Sequence, residues 1–181
     1  MPSAPAAGDF LVATELLTDP NFAGSVVLLC EHDEQGTLGL VLNRPLSVRL
    51  PELVTGDELL GCEAPVLWGG PVKSDALHAL KDGAPGPDAV EVYPGLAFGG
   101  QLDDLIDAWN EGIEVRFYLG YAGWESGQLD GEIAEGAWHV VRSRPELVFP
   151  ERPDALWGQL KGELDPAWRH LKHQPRDPEL N

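Results

Sequence analysis

The chain has 181 residues, of which 43% are hydrophobic and 23% charged, a composition typical of one globular domain with its own core. Its 12 basic and 30 acidic residues give a net charge of −18, and it has no apolar run near the ~20 residues of a membrane-spanning helix. DNA is therefore an unfavourable direct partner, because DNA-binding proteins neutralise phosphates with Lys and Arg.

The first part of the chain predicts strands and turns. DFLVAT predicts a strand with Phe10 and Val12 on one face, and LTDPNFAGS predicts a turn. SVVLLCEH and TLGLVLN, joined by DEQG, predict a hairpin, for which one register considered pairs His32 with Thr37. One or two helical turns are expected next, around Pro51, which the first turn of a helix tolerates.

The middle of the chain predicts short strands and one clear helix. APVLWGGPV predicts a strand that runs into a tight turn, DALHAL a short strand and AVEVY an exposed edge strand. The helix is predicted in GGQLDDLIDAWNEG, whose apolar residues recur at i, i+3, i+4 and i+7. These residues form one stripe: Leu102, Leu105, Ile106 and Trp109.

The last part begins with the strand EVRFYLGY and continues into LGYAGWESGQLDGEI. In this stretch, Gly120 and Gly123 would let the chain turn sharply, and Ser126 would cap a short helix. WHVVRS predicts a further strand, and PDALWGQLKGEL predicts the last helix. That helix is expected to bury Leu156, Trp157, Leu160 and Leu164.

These elements predict an α+β fold. Strands and short helices interleave without a regular β-helix-β order, and the hairpin connection is too short for parallel pairing. We expect a single compact domain of bent, mainly antiparallel sheets with a few short helices. Its expected limits are residues 8–164, with a flexible N-terminus at 1–7 and a polar tail at 165–181.

Cys30 and Cys62 form neither a C-x-x-C pair nor a zinc pattern. Reduced thiols in the cytoplasm are the simplest interpretation, and one bridge between them is the alternative. The first residues lack the basic and apolar regions of a secretory signal. We expect no cofactor and no metal site, because Glu31, His32 and Asp33 diverge on a strand and no second ligand cluster has metal-binding spacing.

Cys30 and His32 come closest to a catalytic pair. On a regular strand they point to the same face, and a base beside a thiol can generate the reactive thiolate. Their side chains would be ~7 Å apart, which is too far for a direct hydrogen bond. Cys30 is therefore interpreted as a buried core residue, with a ligand-contacting or redox cysteine and a nucleophile as alternatives. Asn43 would share the face of His32 across the hairpin.

The pentapeptide WGGPV lacks the Lys-Ser/Thr of a phosphate-binding loop and the third glycine of a dinucleotide fingerprint. Gly69 and Gly70 are therefore predicted to form a turn with unusual dihedral angles. His78, shortly afterwards, is predicted to be a partly buried strand residue rather than a catalytic base.

LGYAGWESGQLDGEI differs from a nucleophile elbow, since it contains G-x-x-S-G where the elbow has G-x-S-x-G. We interpret it mainly as a structural corner. The alternative is a ligand or partner surface made by Tyr121, Trp124 and Gln128, because Tyr and Trp supply much of the contact energy at interfaces.

Three blocks together resemble the YqgE/AlgH family of bacterial proteins: GDFLVATELLTDPNFAGSVVLLCEHDEQGTLGLVLNRPL, then WGGPV with LH downstream, then LGYAGWESGQLDGEI. The resemblance covers roughly residues 8–157, and Asp130 stands where the family pattern usually has Glu. It implies an α+β fold of bifurcated, coiled sheets in a cytosolic protein. One branch of the family is labelled a transcriptional regulator of polysaccharide synthesis. The resemblance supplies no catalytic role for any residue.

We expect a non-enzymatic cytoplasmic protein that binds a small molecule or another protein, in keeping with the polar and aromatic residues of its loops. The candidate ligand-binding residues are Cys30, His32, Asn43, Arg44, Gly69, Gly70, His78, Tyr121, Trp124 and Gln128. One alternative is an enzyme or redox protein centred on Cys30 and His32. The other is a regulator that binds DNA directly, which the net charge disfavours.

Overall fold

The computed structural model describes residues 4–56 and 61–167. The strands of this part of the chain are β1 (Phe10–Ala13), β2 (Val26–Asp33), β3 (Gly36–Val41), β4 (Val66–Trp68), β5 (Val72–Asp82), β6 (Ala89–Tyr93), β7 (Leu96–Gly99), β8 (Val115–Glu125) and β9 (Trp138–Val141). The helices are α1 (Leu50–Leu53), α2 (Leu102–Asn110), α3 (Gln128–Ala134) and α4 (Leu156–Leu164), and 3-10 turns span Pro145–Leu147 and Pro153–Ala155.

The strands form one sheet in the order β6-β7-β5-β8-β3-β2-β1-β9, with β4 paired to β8 beside this path. The β4–β8 pair is parallel, and the other pairs between the named strands are antiparallel. The predicted α+β class and the mainly antiparallel sheet are confirmed. β6, the predicted edge strand AVEVY, lies at one edge of the sheet and β9 at the other.

The predicted β2–β3 hairpin pairs His32 with Thr37. A β-bulge interrupts the register between Leu29 and Glu31, so Cys30 has no partner residue on β3. An extra residue in one strand reverses the alternation of faces beyond it. Cys30 therefore packs in one core layer while His32 lies on the opposite face, and the prediction that they share a face is wrong.

Strand β8 is the centre of the sheet, and one of its edges is shared by two strands. β4 pairs with residues 117–119 on that edge, and β3 pairs with residues 122–125. β5 follows the opposite edge as far as the pair Val72–Tyr121. The sheet is therefore bifurcated at β8. The predicted sharp corner is replaced by a strand that bends at Gly120 (φ +73°) and continues to Glu125.

The link between β4 and β5 explains the glycines of WGGPV. Because β4 and β5 lie on opposite edges of β8, residues 69–71 must cross this strand. A Cβ on Gly69 would lie 2.4 Å from the Gly120 carbonyl oxygen, and one on Gly70 would lie 2.1 Å from the Tyr121 carbonyl carbon. Side chains are thus excluded at the crossing. The predicted turn is instead a strand crossing, where both segments, residues 69–71 and β8, need glycine at the point of contact.

Three apolar layers hold the sheet. The first packs the C-terminal segment, including Leu156 and Leu160 of α4, on strands that contain Phe10, Leu28 and Tyr118. The second packs α1 and α2 on β4, β5 and β8. The third packs α3 and the loop before β2 on the other face of β1–β3. Both faces of β1 are buried, as the run of four fully buried residues requires.

The helices correct several local predictions. Leu105 and Ile106 of α2 are buried as predicted from the stripe. α3 begins after Gly127, whose left-handed backbone makes it the N-cap, so the prediction that Ser126 caps this helix is wrong. In α4, Leu164 is 41% exposed and does not join the core. Strand β7 was not predicted, and β5 is longer than DALHAL.

Of the predicted flexible start, residues 1–3 lie outside the described residues, while Pro5 is buried and the Ala6 amide donates to the Asp9 carboxylate at 3.0 Å. Residues 168–181 of the predicted tail, with His170 and His173, also lie outside the described part.

Among the described residues, no helix has the length and apolar character to cross a membrane.

Candidate functional site

A groove with a volume of about 680 Å³ runs beside the tip of the β2–β3 hairpin. We call it the tip groove. It is built from the hairpin, the start of β5, the end of β8 and the start of α3. Its lining residues are Glu31, Asp33, Gln35, Gly36, Thr37, Leu38, Val72, Tyr121, Gly123, Trp124, Glu125 and Gln128. The first and third sequence blocks thus meet at this groove, although 72 residues separate them.

A smaller groove of about 360 Å³ lies next to the tip groove and shares Asp33, Gly36, Thr37 and Glu125 with it. We call it the flanking groove. His32 lines it, and the His32 Nδ1 atom is 2.6 Å from the Thr37 hydroxyl. This hydrogen bond joins paired residues of the hairpin. His32 is therefore accessible from the flanking groove but not from the tip groove.

Cys30 lies in neither groove. Its side chain is 2% exposed, and its thiol approaches the Leu28 carbonyl oxygen at 3.8 Å, a weak hydrogen bond. Burial, and secondarily the charge of Glu31, raise the pKa of the Cys30 thiol far above its ordinary value. The thiolate is correspondingly disfavoured. Both cysteines are free, so the alternative of a bridge between Cys30 and Cys62 is wrong.

Asn43 and Arg44 hold the loop that precedes β2. The Asn43 side chain accepts from the Val26 amide at 2.9 Å and donates to the Gly24 carbonyl at 2.9 Å. The Arg44 guanidinium donates to two further loop carbonyls, at 2.6 and 2.9 Å, and lies over the Trp68 ring at 5.0 Å. These contacts satisfy backbone groups of the loop, of which the Val26 amide is buried, and place neither side chain in the tip groove.

His78 lies on β5, in the same layer as Tyr121. Its ring stacks on Phe98 with the centroids 5.8 Å apart and meets the edge of Tyr121 at 5.5 Å. Its Nε2 atom is buried without a hydrogen-bond partner. Burial and then the charge of Lys73 lower the pKa of His78, so the ring is neutral at neutral pH. The prediction of a partly buried strand histidine agrees with this environment.

Tyr121, Trp124 and Gln128, the alternative binding surface, differ in how deeply each side chain is buried. Tyr121 is partly buried and presents its ring to the tip groove. The Trp124 side chain is 5% exposed and packs between Phe22 and Trp138, with centroids 6.1 Å away from each. The Gln128 side chain is exposed and accepts from the Glu125 amide at 3.0 Å.

Cys30, His32, Asn43 and Tyr121 therefore do not converge on one cleft. Of the predicted site residues, Tyr121, Trp124 and Gln128 line the tip groove, and His32 lines the flanking groove. The others are spread through the core, the loop before β2, the strand crossing and the Phe98 layer. Of these, His78 also lines a third groove, of about 280 Å³, beside the start of α2.

The tip groove also contains residues that the sequence did not single out as a binding site, above all Glu125, Gly123 and Val72. EHDE is a visible acidic run, but its proximity to Glu125 depends on the pairing of β3 with β8. A pairing between such distant segments leaves no local pattern. Among the described residues, no group of three or more His, Cys, Asp or Glu side chains is placed to hold a metal ion.

Comparisons with known proteins agree over almost the whole chain. A sequence profile described as AlgH-like matches residues 10–169. A UPF0301 protein of Chlorobaculum tepidum is 38% identical over 180 residues, covering 96% of this chain and 95% of the relative. A UPF0301 protein of Streptomyces avermitilis is 40% identical over 185 residues, covering 96% and 94% of the two chains.

Solved structures show the same fold. The solution structure of the AlgH protein from Pseudomonas aeruginosa is similar with a TM-score of 0.73 and 30% identity, covering 98% of this chain and 99% of that one. A crystal structure of a protein from Corynebacterium diphtheriae has a TM-score of 0.72 at 24% identity, with 96% and 90% coverage. The second similarity is informative about the fold alone.

Proposed function

The chain belongs to the AlgH-like family, and from this premise we propose that it acts by binding a small molecule or a protein at the tip groove, and not by catalysis. The observation that carries the proposal is the meeting of two distant sequence blocks at this groove. Its volume of about 680 Å³ lies within the roughly 300–1,000 Å³ typical of ligand pockets. Tyr121 supplies an aromatic surface there, and the amides of Gln35 and Gln128 supply polar groups.

The environments of Cys30 and His32 support binding over catalysis. A nucleophile and its base must come within hydrogen-bond distance of each other. The bulge in β2 instead places the two side chains on opposite faces, and Cys30 is buried with a raised pKa. An enzyme or redox protein that uses this pair is therefore the weaker alternative.

Regulation through a partner is compatible with this proposal, whereas direct binding to DNA is the weaker alternative. The tip groove is lined by Glu31, Asp33 and Glu125 and by no Lys or Arg of the described residues. A phosphate backbone would meet negative charge at this surface, in addition to the overall charge of −18.

We also propose that the protein works in the cytoplasm. The free, buried cysteines support this assignment, because reducing compartments keep thiols unpaired. Localisation of a tagged full-length chain in fractionated cells measures it directly, and recovery in an oxidising compartment would contradict it.

The binding proposal is tested by capture experiments with matched variants. Immobilised wild-type chain is exposed to metabolite fractions and to lysate, and the retained species are quantified by mass spectrometry. Tyr121→Ala removes the aromatic surface, and Glu31→Lys reverses an exposed charge in the groove without disturbing the core. Val90→Ala, on the distant edge strand β6, is the control.

We expect at least one species to be retained by wild type and by Val90→Ala and to be lost with both groove variants, while thermal melting of Glu31→Lys stays unchanged. Retention that is equal in all variants would refute the tip groove as the site. Turnover of a retained species that disappears in Glu31→Lys would refute the non-enzymatic part.

A further inference from the structure

From the pairing of β8 we propose that the tip groove takes an extended, positively charged peptide segment, which adds a strand to the outer edge of β8 at the exposed Gly123. This inference rests on the proposed binding function and specifies the class of partner. The main contact of the peptide would be the backbone of β8.

The first step is the unpaired edge. Beyond Tyr121, β8 pairs with β3 on one side only, because β5 begins at Val72, which is opposite Tyr121. No described strand follows residues 122–125 on the β5 side. Edge strands present outward N–H and C=O groups that a further strand can pair with.

The second step is the space beside this edge. The tip groove is lined by Val72 and Tyr121 at one end and by Glu125 and Gln128 at the other, with Gly123 between them. Gly123 is exposed, whereas its neighbours Ala122 and Trp124 are buried. The backbone of β8 is therefore approachable at Gly123. The Gln128 side chain already accepts from the Glu125 amide and so ends the available edge.

The third step is charge. Glu31, Asp33 and Glu125 line the groove, and the seven ion pairs of the described residues all involve carboxylates elsewhere. Lys73 follows Val72 in the chain and contributes one positive charge near this end. The carboxylates outnumber it, so a cationic side chain is the complementary occupant.

A peptide satisfies all three features together. Its backbone supplies donors and acceptors at the spacing of β8, and alternate side chains of an extended chain point to one side. Arg on that side reaches the carboxylates and can stack on the Tyr121 ring. A small cation would leave the backbone edge unpaired, and a nucleic acid would be repelled.

The test is NMR titration of the ¹⁵N-labelled full chain with defined probes. The first probe is the capped peptide Arg-Val-Arg-Val-Arg. The second is the same peptide with N-methyl groups at the alternate residues that face β8, which removes the N–H donors of the strand pairing. The third replaces each Arg by Glu.

We expect shift changes from the Arg peptide that centre on residues 121–125 and 31–38 and weaken with added salt. The methylated peptide should bind roughly tenfold more weakly, because it can no longer donate backbone hydrogen bonds to β8. The Glu peptide should not bind measurably.

A charge-matched pair of variants separates the groove from the acidic surface as a whole. Glu31→Gln with Glu125→Gln should weaken the Arg peptide roughly fivefold to tenfold at low salt. Asp107→Asn with Glu111→Gln, on the exposed face and end of α2, changes the net charge equally and should alter affinity less than about twofold.

Equal weakening in the two double variants, equal affinity of the methylated peptide, or binding of the Glu peptide would each overturn the inference. So would concentration-dependent self-association that Glu31→Lys abolishes, since the occupant would then be a second copy of the chain. If groove variants lose a captured species while the Arg peptide does not bind, this inference fails and the proposed function stands. If no captured species depends on the groove, both fail.

Discussion

The crossing of β4–β5 over β8 leads to a quantitative prediction for Gly120. This residue has φ +73°, and a Cβ there would lie 2.2 Å from the Gly70 carbonyl oxygen and 3.2 Å from the Ser74 Cα. The contacting atoms belong to the backbone, so they cannot rotate away. Gly120→Ala must therefore open the crossing or strain it.

A matched control separates the contact from the backbone conformation. Gly112, which follows α2, has φ +87°, and a Cβ added there would meet nothing within 4 Å. Gly112→Ala should cost ~1–2 kcal/mol for the left-handed conformation alone. Gly120→Ala adds overpacking of ~1–3 kcal/mol and should cost ~2–5 kcal/mol in total. The loss of chain entropy in the unfolded state is the same for both changes and cancels.

The assay is urea unfolding followed by tryptophan fluorescence, with the free energy of unfolding taken from the midpoint and slope. A cost of ~2–5 kcal/mol is a large share of the ~5–15 kcal/mol of a typical domain, so the midpoint should fall clearly. If the two variants lose the same free energy within ~0.5 kcal/mol, the crossing tolerates a side chain and the steric explanation of WGGPV is refuted.

Further predictions concern the side chains of Cys30, Arg44 and Glu132. Alkylation of Cys30 in the native protein should be slow, because the thiol is buried and its pKa is raised in the folded state. The rate should increase with urea in step with unfolding. Ordinary thiol reactivity without urea would contradict the burial of Cys30. The same raised pKa means that Cys30 favours folding at neutral pH and that this contribution is lost as pH rises above 9.0, its ordinary value. Arg44→Ala should lower stability by ~1–3 kcal/mol, because two loop carbonyls and the Trp68 ring lose their partner. Arg152→Ala, at an exposed ion pair, should change stability by less than ~0.5 kcal/mol, and equal losses would show that the Arg44 contacts are unimportant. Burial raises the pKa of Glu132, although a hydrogen bond from Trp124 acts in the opposite direction. Glu132→Gln should therefore be more stable than wild type at neutral pH, and the difference in free energy of unfolding should disappear as pH falls below 4.5. A constant difference across this pH range would exclude titration of Glu132 as the cause.

Local patterns predicted the parts of the fold that short segments determine. The hairpin followed from two apolar runs and a turn, and the structure has the register, considered for it, that pairs His32 with Thr37. The stripe of α2 placed Leu105 and Ile106 in the core. In each case the information lies within one turn or one hairpin, where side-chain periodicity is set by backbone geometry.

Predictions failed where a single residue departs from regular strand or helix geometry. A single bulge at Cys30 separated this residue from His32, although strict alternation placed them together. The left-handed Gly127 took the capping position expected for Ser126. Bulges and left-handed residues depend on the neighbours that pack around them, so composition alone does not locate them.

The sequence by itself determined the fold class, the family and the strongly acidic surface, because periodicity, sequence motifs and charge are properties of the chain. Only the tertiary structure decided that the glycines of WGGPV and Gly120 meet at a crossing, that β8 has a free edge beyond Tyr121, and that Glu31 and Glu125 line one groove. These are pairings between segments far apart in the chain. Their energies come from packing and hydrogen bonds that exist only after the segments meet, so no local signal encodes them.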